Sequence, residues 1–153
     1  MITLKSNFNG LEKLKKQAKS AYVTRVGILG NSDARDDGLS NASIGFKQEF
    51  GSITENIPIR SFLRMPLMTH ANDILSAMSS KSAQKRVEKK GFREIFVIAG
   101  GKAEAIIQEA FSTRGFGSWK KNAPLTIALK GSDSPLIDTG ELRKSITSEV
   151  ITK

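Results

Sequence analysis

The sequence predicts a single α+β domain, in which a small antiparallel sheet packs with several helices. Apolar residues recur at helical spacing in several segments, whereas only two segments are rich in β-branched residues. Helices mixed with few, separated strands are typical of the α+β class. The chain of 153 residues has no internal repeat and no low-complexity linker, so we expect one domain over residues 1–153.

The first third of the chain is predicted to contain two helices and one strand. A helix is expected from Asn9, because Leu11, Leu14, Ala18 and Tyr22 recur at helical spacing. Residues 22–29 are rich in β-branched side chains and predict a strand, and the polar stretch from Ser32 to Ser40 predicts an exposed loop. Asn41 is expected to cap a helix that runs to Phe50 and stops at Gly51.

The middle of the chain is predicted to pass from an extended segment into a helix and then a connection. Residues 57–64 are expected to be extended, since Pro58 disfavours helix in the residue before it. Pro66 suits the first turn of a helix with one apolar face. The members of that face are Leu67, Ala71, Ile74 and Met78. The following segment, from Lys81 to Lys90, is interpreted as a basic, solvated connection.

A long helix is predicted from Phe92 to Ala110, with an interruption at Gly100-Gly101 as the alternative, since two interior glycines cost a helix about 2 kcal/mol. The glycine-rich stretch 115–119 breaks the helical pattern. A short helix is then expected from Leu125 to Lys130, followed by a turn-rich stretch to Pro135.

The C-terminal segment carries a helix-start signature. Asp138 is expected to cap a helix, with Glu141 completing a capping box and Ile137 packing on Leu142. This helix would carry Leu142 and Ile146 on one face, and a strand over 147–152 would close the domain.

Charge and composition limit the classes of partner. The formal net charge is +9, from 24 Lys and Arg against 15 Asp and Glu, which favours polyanionic or acidic partners without giving specificity. The absence of cysteine excludes disulfides and thiolate metal sites. We expect a protein that is soluble and intracellular at synthesis, with no membrane span, because no secretion signal and no run of about 18 apolar residues is present.

No catalytic or metal-binding constellation is complete, so we predict that the protein is not an enzyme and has no cofactor. Asp138-Thr139-Gly140 matches the aspartic-protease triplet, but only thirteen residues follow it, too few for the rest of a lobe. Gly100-Gly101-Lys102-Ala103 lacks the upstream glycine and the hydroxyl of a phosphate-binding loop. Asp33, Asp36 and Asp37 lack calcium-loop spacing, and the only histidine, His70, would need carboxylates to complete a zinc site.

Three ordered segments resemble the tail-completion and virion-morphogenesis proteins of long-tailed bacteriophages. They are Asn41–Gly51, ending in Glu-Phe-Gly; Ile57–Arg64, similar to an Ile-Pro-x-Arg-Pro-Phe-Leu-Arg pattern; and Pro124–Lys130 followed by Pro135–Ile146. The chain departs from the pattern at Gln48, where relatives often carry His, and at Ser61, where they often carry Pro.

The resemblance implies a structural virion protein, made in the host cytoplasm, that completes the tail and joins it to the head connector at the head-proximal end. Its partners would be copies of itself in a ring, plausibly a hexamer, the tail terminator or tail tube protein, the head connector or adaptor protein, and phage DNA passing through the lumen. A tail terminator that caps the tube is the first alternative. A basic nucleic-acid-binding protein that uses Lys81–Lys90 and the first helix is the second.

Two segments are the predicted interface with neighbouring subunits or virion parts. In the first, Phe62 and Leu63 would act as apolar anchors beside Arg60 and Arg64, since Arg suits bidentate pairing at interfaces. The alternative is that the apolar pair fills the core and the arginines are solvated. The second segment contributes Asp138, Thr139, Gly140, Leu142 and Arg143, with a purely structural capped helix as the favoured alternative.

Overall fold

A computed structural model describes residues 22–30, 38, 40–136 and 140–152 of the chain. The predicted α+β class is confirmed, with seven helices and one two-stranded antiparallel sheet within these residues. The elements in chain order are β1 (Tyr22–Ile28), α1 (Asn41–Phe50), α2 (Arg64–Thr69), α3 (Ala71–Met78), α4 (Lys81–Lys90), α5 (Arg93–Ser112), α6 (Pro124–Lys130), α7 (Glu141–Lys144) and β2 (Ile146–Thr152). The helix predicted from Asn9 and most of the loop predicted from Ser32 lie outside the described residues.

The sheet joins two segments that are distant in the sequence. β1 and β2 pair over their full length, from Tyr22 opposite Thr152 to Ile28 opposite Ile146. Both predicted strands are therefore confirmed, although β2 begins one residue earlier than predicted and takes in Ile146, which had been assigned to the preceding helix. Because Ile146 is buried in the core, the pairing gives the closing strand an apolar anchor.

Helix α5 packs against one face of the sheet and is continuous through its two glycines. The Thr24 hydroxyl donates a hydrogen bond to the Phe96 carbonyl across this contact, at 2.9 Å. A Cβ added to Gly100 would lie 2.5 Å from Ser148 Oγ, whereas one added to Gly101 would meet nothing within 4 Å. The predicted alternative of an interrupted helix is wrong, because Gly100 serves close packing of helix on sheet.

The core lies where α5, the sheet and the segment before α2 meet. Phe111 is central, with ring centroids 5.3 Å from Phe62 and 5.8 Å from Trp119. The Trp119 indole N–H donates to the Ser61 carbonyl at 3.2 Å, so this large buried side chain has its polar atom satisfied. The buried members of this cluster are Phe62, Ile107, Ala110, Phe111, Trp119, Leu142 and Ile146.

Two predicted elements in the middle of the chain need correction. The helix predicted around Pro66 is divided into α2 and α3 at His70, whose backbone (φ −107°, ψ 24°) is not helical. Lys81–Lys90 is the helix α4, not a connection. The Ser80 side chain caps it by accepting from the Ala83 N–H at 3.1 Å, and Ala83 and Val87, four residues apart, form its less exposed side. The serine cap and the packing of these two apolar residues therefore allow a strongly charged segment to form a helix.

Helix ends differ from the prediction at two positions. Ser40, and not Asn41, caps α1, because its hydroxyl accepts from the Ser43 N–H at 3.2 Å, while Asn41 is the first helical residue. Gly51 ends α1 at φ 76°, as predicted. Helix α7 has only four residues and Gly140 (φ 81°) at its N-cap position. The predicted Asp138 cap and Ile137 contact lie outside the described residues.

Candidate functional site

Helix α1 has an inverted distribution of polar and apolar side chains. Its buried residues are Asn41, Gly45 and Glu49, at i, i+4 and i+8, whereas Phe46 and Phe50 point outward. Phe46 is 66% exposed and its ring centroid lies 4.9 Å from that of Phe50. A surface helix normally turns its apolar stripe to the core, so this arrangement needs a different explanation.

Gly45 allows the polar face of α1 to approach the core closely. A Cβ at this position would lie 2.8 Å from the Ile28 side chain and 3.2 Å from the Phe62 ring. At Gly45 the helix backbone therefore packs directly on core side chains, and the neighbouring Ile44 is the partly buried apolar side chain of α1 that packs against the core. The packing of α1 does not require its two phenylalanines.

The Glu49 carboxylate holds the segment that leads into α2. Oε2 accepts from the N–H groups of Phe62 and Leu63 at 2.8 and 3.0 Å. Oε1 accepts from the Ser61 hydroxyl at 2.6 Å and from the Arg64 N–H at 3.2 Å. Glu49 is only 4% exposed, so these four donors replace the water that a carboxylate otherwise requires. With both oxygens occupied in this way, Glu49 acts as a structural clamp between α1 and α2.

Arg60 fixes a second loop against the same helix end. Its guanidinium donates to the carbonyls of Lys120 and Lys121 at 3.0 and 3.2 Å, and to Asn122 Oδ1 at 3.1 Å. A longer bond of 3.4 Å reaches Gln48 Oε1 on α1. None of these acceptors is a carboxylate, and burial lowers the pKa of Arg60 because desolvation disfavours its charged form. Arg60 therefore orders residues 120–122 through neutral acceptors.

A groove of about 1180 Å³ lies beside Arg60, between the turn that follows α1 and the segment that leads into α6. One wall is the turn at residues 52–57, closed by backbone hydrogen bonds between Ser52 and Ile57 at 2.8 and 2.9 Å. The opposite wall contains residues 120–123 and Thr126. Gln48, Phe50, Ile53, Ile59 and Arg60 also line it, so the groove combines apolar and cationic side chains.

The rim of the groove exposes large apolar side chains. Ile53, at the turn, is fully exposed, Ile59 is 64% exposed, and the Phe46–Phe50 pair continues the apolar surface along α1. The Arg64 guanidinium lies 5.3 Å from the centroid of the Phe50 ring and adds a cation–π contact. We call Phe46, Phe50, Ile53 and Ile59 the apolar patch. Exposed apolar patches rimmed by polar residues mark interaction sites in soluble proteins.

Several of the predicted interface residues are internal in this structure. Phe62 has no exposed surface and Leu142 is also buried, so both have packing roles within the chain and are not surface anchors. Leu63 is half-buried against the core. Arg60 is buried and bonded as described above, which corrects the expectation of a solvated arginine. Phe62 is internal because the Glu49 carboxylate binds the backbone of residues 62–64, and this turns the Phe62 side chain inward.

The remaining predicted interface residues are Arg64 and the other members of the second segment, residues 138–143. Arg64 is exposed beside the apolar patch and lies 3.9 Å from Glu49 Oε1. Arg143 is held against α5, where its Nε donates to Gln108 Oε1 at 2.6 Å and a terminal nitrogen donates to Ser112 Oγ at 3.0 Å. Gly140 precedes α7, and Asp138 and Thr139 lie outside the described residues. Of the seven predicted residues that the structure describes, it brings only Arg64 to the exposed rim.

Sequence reasoning missed the four residues of the apolar patch and the clamp residue Glu49. One signal was present in the sequence: an aromatic pair four residues apart, Phe46 and Phe50, on a helix in which Asn41, Gly45 and Glu49 share another face at i, i+4 and i+8. A helix of this kind cannot bury its aromatic side chains and its glycine on the same side. The exposure of Ile53 and Ile59 had no comparable signal, because isolated isoleucines are more often buried.

The one histidine of the sequence, His70, has ordinary structural partners. His70 packs its ring 4.5 Å from that of Phe116, and its Nδ1 lies 3.0 Å from a carboxylate oxygen of Asp73. Among the described residues, no three acidic or histidine side chains are grouped so that they could hold a metal ion. Across the same residues, no helix combines the length and apolar character needed to cross a bilayer.

Comparison with known proteins adds no relative: no family model matches this chain, and no curated protein or solved structure is significantly similar to it.

Proposed function

We propose that this chain is a structural virion protein of a long-tailed bacteriophage, which completes the tail and joins it to the head connector as a subunit of a ring at the head-proximal end. The observation that carries the proposal is the inverted helix α1. It buries Asn41, Gly45 and Glu49, and it contributes Phe46 and Phe50 to an exposed apolar patch. A ring of identical subunits needs such a patch, because each subunit must present surfaces to the next.

The resemblance to tail-completion proteins supports the same assignment from a different direction. Two of the resembling segments, Asn41–Gly51 and Ile57–Arg64, are joined by the four hydrogen bonds to Glu49. The third segment supplies Thr126 to the groove wall and Leu142 to the core beside Gly45. The residues that carry the resemblance therefore build one region of the molecule and its apolar rim.

The rigidity of this region suits an assembly surface. Backbone hydrogen bonds between Ser52 and Ile57 close the turn on one side of the groove, and Arg60 fixes residues 120–122 on the other, so the groove is ordered before a neighbour binds. Preorganised surfaces lose less conformational entropy on association and bind more tightly for the same buried area. Lys120 and Lys121, exposed in the groove wall, would favour a neighbour with acidic side chains opposite them.

Deletion of the coding sequence from its phage tests the proposal. We expect tails of normal length that remain unattached to filled heads, visible by negative-stain electron microscopy. Overlong tails would instead assign the chain as the tail terminator, since loss of the cap removes the stop to polymerisation. Tails that join heads and infect normally would contradict both assignments.

A matched pair of double variants tests the role of the patch. Ile53→Ser with Ile59→Ser should fold normally, because both side chains are exposed, but should fail to restore joined particles to the deletion strain. Met68→Ser with Leu75→Ser removes two other exposed apolar side chains, which lie outside the patch, and this variant should restore joined particles. If the two pairs behave alike, the apolar patch is not the assembly surface.

A further inference from the structure

Helix α4 presents a row of lysines away from the rest of the molecule. Lys81, Lys85 and Lys89 are spaced at i, i+4 and i+8 and are exposed, while Ala83 and Val87 lie on the opposite, less exposed side. At 1.5 Å per residue the row extends about 12 Å along the helix axis. Helix formation thus converts a basic stretch of sequence into a linear array of charges.

The lysines of this row have no partners in the described part of the chain. The ion pair of α4 there is made by Arg86, which donates to Glu94 of α5 from Nε and a terminal nitrogen, at 3.0 and 2.5 Å. That pair fixes the helix on the body and leaves the row facing solvent. Like charges four residues apart disfavour a helix, so the row works against α4 in the isolated chain. A bound polyanion would remove this penalty.

Double-stranded DNA fits this row better than other polyanions. The row lacks the aromatic side chains on which single-stranded bases stack. It also lacks adjacent apolar side chains that would enter a membrane interface, because Ala83 and Val87 lie on the other side of the helix. Evenly spaced ammonium groups on a straight rod match the regular phosphates of a duplex, which are contacted without reading the bases.

We propose that Lys81, Lys85 and Lys89 of α4 form a contact site for the phosphate backbone of double-stranded DNA, independent of base sequence. The inference deepens the proposed function, in which DNA passes through the ring, by naming the helix that meets it. Glu88 is the acidic residue of α4 and lies beside Lys81 and Lys85 on the exposed side, where it weakens the attraction for phosphate.

Fluorescence anisotropy with the full chain and a labelled 20-base-pair duplex tests the site. We expect binding at 50 mM NaCl that weakens about 40-fold or more by 200 mM, because three phosphate contacts give a logarithmic salt slope of about −2.7. The variant K81Q/K85Q/K89Q should bind at least about tenfold more weakly at 50 mM, with a slope shallower by about two units or more. Glutamine has a helix propensity close to that of lysine, and circular dichroism verifies that α4 is retained.

Two further variants separate the site from net charge. K90Q/K102Q/K144Q removes the same charge from lysines outside both the row and the groove, and it should weaken binding less than about threefold. Glu88→Gln should tighten binding about twofold, which a merely solvated helix would not produce. The proposal is overturned if no binding occurs at 50 mM, if both triple variants weaken binding equally, or if the protein binds vesicles containing phosphatidylserine but not the duplex. The particle-joining test does not use isolated DNA, so either proposal can fail alone.

Discussion

Replacing Glu49 by glutamine should destabilise the domain by about 2–3 kcal/mol. The amide keeps one oxygen in place of the two that accept from Ser61, Phe62, Leu63 and Arg64. If that oxygen keeps the two bonds of Oε2, the new NH2 group faces the Arg64 N–H and the Ser61 hydroxyl. The hydroxyl can reverse and accept, but the Arg64 N–H loses its acceptor. Hydrogen bonds to a charged acceptor contribute about 1.5–3 kcal/mol each, and burial prevents replacement by water.

Urea unfolding followed by Trp119 fluorescence measures this loss, since the indole packs in the core and bonds to the Ser61 carbonyl. Glu55→Gln is the matched control. It makes the same chemical change in an exposed carboxylate, paired with Lys47 at 2.6 Å, and should cost less than about 1 kcal/mol. Equal losses in the two variants, or a loss below about 0.5 kcal/mol for E49Q, would refute the view that a buried carboxylate clamp organises residues 61–64.

Two glycine pairs give further predictions. Gly101→Ala should stabilise the domain by about 0.5–1 kcal/mol, since its Cβ meets nothing within 4 Å and α5 gains helix propensity. Gly100→Ala should instead destabilise the domain by about 1 kcal/mol, because the steric cost of overlap with Ser148 exceeds the gain in helix propensity. A stabilised G100A variant would contradict the close contact of α5 with the sheet. Gly115→Ala should cost about 3 kcal/mol, because its backbone is left-handed (φ 66°) and its Cβ would overlap the Trp119 ring. Gly117→Ala, also left-handed (φ 81°) but in open space, should cost only about 1 kcal/mol. Thermal unfolding of the four variants provides the comparison. Equal losses of stability in G115A and G117A would contradict the close packing of Gly115 against Trp119.

Local signals in the sequence predicted most elements of the described chain. β-branched runs gave both strands, helical periodicity gave α5 and α6, and a glycine after Phe50 marked the end of α1. The errors occurred where two local signals competed. The many charges of residues 81–90 outweighed the helical spacing of Ala83 and Val87, so α4 was not predicted. Apolar periodicity continues across His70, so the break between α2 and α3 was not predicted either.

The interface residues were harder to predict than the elements. Phe62 was an equal candidate for core and surface, and only the bonds from Glu49 to residues 61–64 decide that it points inward. Conversely, the Phe46 and Phe50 side chains point to solvent, because Gly45 brings the other face of α1 against Ile28 and Phe62. Both results depend on contacts between residues twelve or more positions apart in the sequence, which no short sequence window contains.

The sequence by itself determined the α+β class, the positions of the strands and the strongly basic character of the protein, because these follow from the period of apolar side chains and from the count of charges. Tertiary structure decided which apolar side chains are left exposed and which cations are held in pairs. Arg60 is fixed by acceptors about 60 residues further along the chain and Arg86 by Glu94 of the next helix, whereas Lys81, Lys85 and Lys89 remain directed to solvent. Exposure is a property of what packs against a residue, and for this chain the packing partners come from elements far apart in the sequence.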